Sequence, residues 1–165
     1  MDKNKHTISL LVSNKPGVLT RVALVFARRG FNIDSLVVSQ GHTPEFSRMN
    51  IEATGDTKTL NLMLLQLNRL VDVIHAVDHA GEDVIQRELA LFKIECRPEK
   101  RTEVLQISET FRGQTVDIGD ETITIQVTGK SSKVDAFQKM MEPFGILELV
   151  RTGKVLMSRS KNPTA

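Results

Sequence analysis

Ile8-Ser9-Leu10-Leu11-Val12 is a short, mostly apolar run that predicts a buried strand. Val18, Leu19, Val22, Val25 and Phe26 then recur at helical spacing until Arg28-Arg29-Gly30 closes the helix. Two strand-like runs follow, residues 33–40 and 46–53, separated by Gly41-His42-Thr43-Pro44-Glu45, a stretch long enough for a hairpin. Leu60, Met63, Leu64, Leu67 and Leu70 form a second helical stripe, and Val71-Asp72-Val73-Ile74 reads as the start of another strand. The predicted order is βαββαβ.

The second half repeats that order without recognisable sequence repetition. Ala90, Phe92, Ile94 and Cys96 alternate with Leu89, Leu91, Lys93 and Glu95, a strand partly apolar on both faces and expected to be covered on both. Val104, Ile107 and Phe111 share one helical face that ends at Gly113, Val116 and Ile118 begin a short strand, and Gly119-Asp120 reads as a turn. Ile123, Ile125 and Val127 alternate cleanly with polar neighbours. Val134, Phe137, Met140 and Met141 then mark a helix stopped by Pro143 and Gly145, before Leu147 to Val150 begins the last strand. The pattern predicts an α+β protein of two ferredoxin-like βαββαβ domains, residues 1–78 and 82–160, joined near His79-Ala80-Gly81, with Ser158 to Ala165 as a polar tail.

Composition narrows the chemistry. The 165 residues divide into halves near the lower limit for a core that folds unaided, so each is expected to lean on the other or on a second copy. Helices on one face of such a sheet leave the other face and the edge strands open, which favours a side-by-side dimer of the first half. Twenty-two basic and twenty acidic residues leave a net charge of +2, with the basic residues spread along the chain, so no footprint for nucleic acid or an anionic membrane is present. A single cysteine, Cys96, excludes an internal disulfide framework and a cysteine zinc cage. The leader, Met1 to His6, has no signal-peptide core, and no aliphatic run approaches a bilayer span; the expectation is a cytoplasmic protein. Seven Phe without Trp or Tyr leave few rings for stacking on bases or sugars.

Catalytic motifs are absent: no G-x-S-x-G elbow, no G-x-G-x-x-G and no G-x-x-x-x-G-K-[ST] occurs. Glu82-Asp83 and Asp120-Glu121 fall in turns and read as solvated carboxylates. His75 and His79 have ligand-like spacing only in a helix; in the strand read here, positions four apart are separated by about 13 Å, too far to share an ion. They read as solvated or interface histidines, and His6 and His42 are isolated. No catalytic and no metal-binding residue is assigned.

The informative stretch is Asn14-Lys15-Pro16-Gly17-Val18-Leu19, followed within one helix length by Gly30-Phe31-Asn32-Ile33. A helix opening after Gly17 points its first free N–H groups at whatever lies beyond the glycine, and Asn14 and Asn32 offer amides that donate and accept. That chemistry suits an amino acid, carboxylate to the helix end and ammonium to the amide oxygens. The same residues also suit an ordinary tight turn and helix start, so a purely structural role stays open on local chemistry alone.

These residues resemble the ligand loop of ACT domains. Together with Ser47-Arg48-Met49, Leu70-Val71-Asp72-Val73, Arg87-Glu88-Leu89 and Phe111-Arg112-Gly113, nearly the full length resembles the regulatory small subunits of acetolactate synthase (acetohydroxyacid synthase). The resemblance implies a non-catalytic subunit that binds and activates the large catalytic subunit and confers feedback inhibition by valine, with leucine and isoleucine as alternative effectors. It implies that Asn14, Gly17, Val18 and Leu19 hold the amino acid, and that Asn32 and Ile33 face it from the neighbouring copy of an ACT homodimer. It places thiamine diphosphate, magnesium and FAD on the large subunit and no cofactor on this chain. Burying an isopropyl group is worth about 1.5–3 kcal/mol, and each charge-assisted bond about as much again before ordering costs, so micromolar to millimolar binding is expected. The competing reading is an amino-acid sensor or ACT-type transcription regulator acting on another partner, although both βαββαβ units leave no segment for a helix-turn-helix.

Overall fold

The structure is a computed structural model that describes residues 4–159, 161 and 163–165. Met1–Lys3, Ser160 and Asn162, parts of the leader and tail read above, lie outside the described residues. The chain divides into two compact units, residues 1–85 with 153–165, and residues 86–152.

In the first unit β1 (Asn4–Ser13) leads through α1 (Val18–Arg28) to the hairpin of β2 (Asn32–Gln40) and β3 (Phe46–Gly55), then α2 (Thr57–Leu67) and β4 (Val73–Asp78). The strands form one antiparallel sheet in the order β2-β3-β1-β4, the ferredoxin-like arrangement. Two-residue periodicity sends Ile8, Leu10 and Val12 of β1 and Met49, Ile51 and Ala53 of β3 to one face, where Val22 and Phe26 of α1 and Leu60, Met63 and Leu67 of α2 cover them. Ser9 and Asn50 have the opposite parity and are also buried, with Ser9 Oγ donating to Asn50 Oδ1 at 2.7 Å, so their burial leaves no unmet hydrogen bond between them.

The α2–β4 connection differs from the sequence reading. Val71 is 97 % exposed and belongs to a turn, not a strand. The helix stops at Leu67 because Asn68 uses its side chain to join the two elements: its oxygen accepts the Ala76 N–H at 2.9 Å, and its amide donates to the carbonyls of Leu64 and Ala76, each at 3.0 Å.

In the second unit β5 (Ile85–Glu95), which starts at the unit boundary, is followed by a 3₁₀ turn at Pro98–Lys100, α3 (Arg101–Thr110), β6 (Gln114–Ile118), β7 (Thr122–Gly129), α4 (Ser131–Met141) and β8 (Ile146–Arg151). The sheet order β6-β7-β5-β8 repeats the first unit's. Ala90, Phe92, Ile94, Ile123, Ile125 and Val127 line one face beneath Val104, Val134 and Met141, and the edge of Phe137 meets Phe92 at 4.9 Å between ring centroids. The other face of β5 is only partly covered: Leu89 and Leu91 are half-buried, Lys93 and Glu95 exposed.

A further strand, β9 (Val155–Met157), lies in a segment read from sequence as the end of the second domain. Residues 153–165 group with the first unit, where Lys154 Nζ reaches Glu52 Oε1 at 2.6 Å on the polar face of the sheet and Ser35 donates to Glu52 Oε2 at 3.0 Å.

Candidate functional site

The loop after β1 is held from three directions. Ser13 N–H donates to the Asp72 carbonyl at 2.8 Å and Asn14 N–H to the Glu45 carbonyl at 2.7 Å, while the Asn14 side-chain amide donates to the Pro44 carbonyl at 3.0 Å. Asn14 therefore ties its loop to the β2–β3 hairpin and keeps its side-chain oxygen available as an acceptor. Gly17 stands at φ +80° as the residue before α1, a left-handed conformation that a Cβ would strain. It gives the helix no side-chain cap, so the Leu19 and Thr20 N–H groups are orphan donors of the first turn.

A cation that the sequence reading did not single out reinforces this end. Arg21, one helical turn beyond Gly17, carries its Nη1 to 3.2 Å from where a Cβ on Gly17 would stand, and its Nη2 pairs with Asp72 at 2.6 Å. The four-residue spacing was legible; Asp72 arrives only through the fold. The Val18 side chain is buried in the core and its N–H donates to the Lys15 carbonyl at 3.4 Å, while Leu19 is 42 % exposed.

Asn32 and Ile33 open β2. Ile33 is half-buried against the core of its own unit, and Asn32 is exposed. Hydrogen bonds from the Thr54 hydroxyl at 2.6 Å and the Asn32 amide at 2.9 Å hold the Asp34 carboxyl below the usual carboxylate range. Asp34 is therefore ionised, with the charge of Lys5 adding to the effect, and it is a second residue that spacing alone did not reveal.

The two ends are not adjacent within one chain. Ser13 pairs with Phe46 and Asn32 with Thr54, eight positions apart on β3, which at strand rise amounts to about 27 Å. Asn14, Gly17 and Leu19 share one end of the sheet; Asn32 and Ile33 share the other.

Elsewhere the histidines are better integrated than expected. His79 is buried with Nδ1 2.7 Å from Glu82 Oε2, and His6 is buried with Nδ1 3.1 Å from Asp78 Oδ2; His75 is exposed. Among the described residues no group of three or more His, Cys, Asp or Glu side chains gathers to hold a metal, and no helix is long and apolar enough to cross a membrane.

Two family models match the chain: the ACT domain of small subunits of acetohydroxyacid synthase over residues 8–75, and the small subunit of acetolactate synthase over residues 87–160. A probable acetolactate synthase small subunit of Methanothermobacter thermautotrophicus is 45 % identical over 160 residues, covering 96 % of this chain and 95 % of that one. This chain belongs to the family of acetolactate synthase small subunits. Within that family the acetolactate synthase small subunit of Mycobacterium bovis is 40 % identical over 96 % of this chain and 95 % of its own. The crystal structure of the small subunit from Thermotoga maritima superposes with a TM-score of 0.85 at 40 % identity, covering 96 % of this chain and 99 % of that one. All six candidate ligand residues fall inside the segment matched as the small-subunit ACT domain.

Proposed function

We propose that this chain is the non-catalytic, feedback-sensing subunit of a cytoplasmic acetolactate synthase. It binds the large subunit, raises its activity and makes it inhibitable by valine. Condensation of pyruvate with pyruvate or 2-oxobutyrate takes place on the large subunit, which carries the thiamine diphosphate, magnesium and FAD.

The observation that carries the effector reading is the separation of the two half-sites. One end of the first unit's sheet offers orphan N–H groups and a guanidinium beside Gly17; the other offers Asn32 next to the ionised Asp34. β2 is an edge strand, so a second copy docked antiparallel along it brings one chain's Gly17 end to the other chain's Asn32 end. A zwitterion fits the seam in one orientation: carboxylate to the α1 turn of one copy, ammonium to the Asn14 side-chain oxygen of that copy and to Asn32 and Asp34 of its neighbour, side chain towards Leu19 and Ile33. Valine binding then favours one arrangement of the dimer, and the differential, typically about 1–3 kcal/mol, is transmitted to the large subunit.

A mixing experiment tests this. Asn14→Ala and Asn32→Ala are each expected to weaken calorimetric valine affinity about tenfold, the order expected for one lost charge-assisted hydrogen bond, with folding intact. After subunit exchange between the two variants, hybrid dimers pair an unmodified Asn14 end with an unmodified Asn32 end. About a quarter of the tight sites should return at statistical mixing. Recovery of none would refute a site shared between copies.

A further inference from the structure

We infer that the second unit carries an oxyanion site of its own at the start of α4. An open surface cavity of about 570 Å³ there is lined by four cations, the exposed Arg87, Arg112 and Lys130 and the half-buried Lys133, with Thr128 and Ser132 among them and no carboxylate. Arg87 and Arg112, whose segments served above only as marks of family likeness, meet at this cavity and are not among the candidate valine residues.

The neighbouring acids do not neutralise it. Glu88 is buried and Asp135 lies on α4, yet both are taken by Arg151, which hydrogen-bonds to Glu88 and to Asp135, the latter at 2.6 Å. Among the four cations, Lys133 donates to the Thr128 carbonyl at 2.9 Å and Arg87 to the Gln86 carbonyl at 2.8 Å, neutral acceptors that leave both charges standing. Arg112 and Lys130 have no ion-pair partner among the described residues. Like charges held around one concavity repel unless an anion lies between them.

The corresponding helix of the first unit sharpens the point. α2 begins at Asp56, whose carboxylate accepts the Thr59 N–H at 3.0 Å and so supplies its own anion to the helix start. α4 begins at Lys130, which offers no side-chain cap, and its carbonyl takes the N–H groups of Lys133 and Val134, leaving those of Ser131 and Ser132 without a main-chain acceptor. Where one unit places a carboxylate, the other places a ring of cations and hydroxyls. No aromatic or aliphatic side chain lines the cavity to receive a base, so the ligand is phosphate or a small phosphorylated compound, not a nucleotide.

The test is calorimetric titration of the full chain with inorganic phosphate and with pyrophosphate at fixed ionic strength. Saturable binding is expected, weakened about tenfold by Lys130→Gln and by Arg112→Gly, and unchanged by Lys139→Gln on the exposed surface of the same helix. Arg112 stands at φ +51°, a conformation glycine adopts freely, so Arg112→Gly removes the charge without straining the turn. Absence of saturable heat, or equal affinity in all three variants, overturns the proposal. If neither anion binds while Lys130→Gln and Arg112→Gly lose the large subunit in pull-down, the cavity belongs to an acidic protein segment and the oxyanion assignment falls.

Discussion

In both units the first strand runs into a turn and then a helix, but the two turns are built differently. After β1 the chain passes through Gly17 at φ +80°, opens α1 without a side-chain cap and brings Arg21 alongside. After β5 it passes Arg97 into a 3₁₀ turn that begins at Pro98, with Cys96 N–H donating to the Glu121 carbonyl at 2.8 Å. Proline fixes φ and removes a donor where the first unit has a glycine and orphan donors. At the second helix the roles reverse, with Asp56 capping α2 and cations gathering at α4. A shared strand order thus fixes where loops emerge, and the residues in each loop decide whether it can receive a ligand.

Five substitutions would break or sharpen this comparison. Phe137→Ala removes the ring that joins Phe92 and Phe111 in the second core and should cost about 3–5 kcal/mol. Hydrogen exchange should report the loss in residues 86–152 while valine affinity holds; equal loosening of the first unit would show that the two cores unfold as one.

Lys154→Ala should cost about 1–3 kcal/mol by leaving Glu52 buried without its nearest cation. Burial pushes the Glu52 carboxyl up, but Lys154, the Ser35 hydroxyl and the charge of Lys5 together outweigh it, so it titrates below the ordinary carboxylate range. Its contribution stands in full above that range and disappears as pH falls through the depressed value. Urea melts across a pH series should therefore show less loss of stability on acidification through the carboxylate range in Lys154→Ala than in the parent chain, because without Lys154 the folded state no longer holds Glu52 as far below its unfolded value.

Gly17→Ala should cost about 1–2 kcal/mol through the left-handed backbone and weaken valine binding about tenfold by crowding Arg21. Pro98→Ala, at the matching turn, should leave valine titrations unchanged; an equal loss there would erase the distinction between the turns. The smallest effect is expected from Lys130→Asp, which gives α4 the cap that α2 already has. It should raise stability by about 0.5–1 kcal/mol while abolishing phosphate binding, and a destabilised chain would contradict the uncapped reading of α4.

Much of the architecture was readable from local periods. Ile123, Ile125 and Val127 alternate and are all buried, and Leu60, Met63 and Leu67 recur at helical spacing and are buried. Where the reading slipped, the deciding partner was distant. Val71 looked like a strand residue, but Asn68 turns the chain before it by bonding Ala76.

The candidate site divides in the same way. Asn14, Gly17, Leu19 and Asn32 could be named from sequence because turn and helix-start chemistry is local. Asp34 and Arg21 gained their significance only from Thr54 and Asp72, brought near by strand register and the α2–β4 turn. The order of apolar and polar residues by itself determined two βαββαβ units and a glycine turn aimed outward, because burial periodicity acts within a few residues. Tertiary structure alone decided that the two ends of the proposed valine site lie a strand length apart, and that Arg87 and Arg112 converge on α4, because register and charge pairing are set by residues remote in the chain.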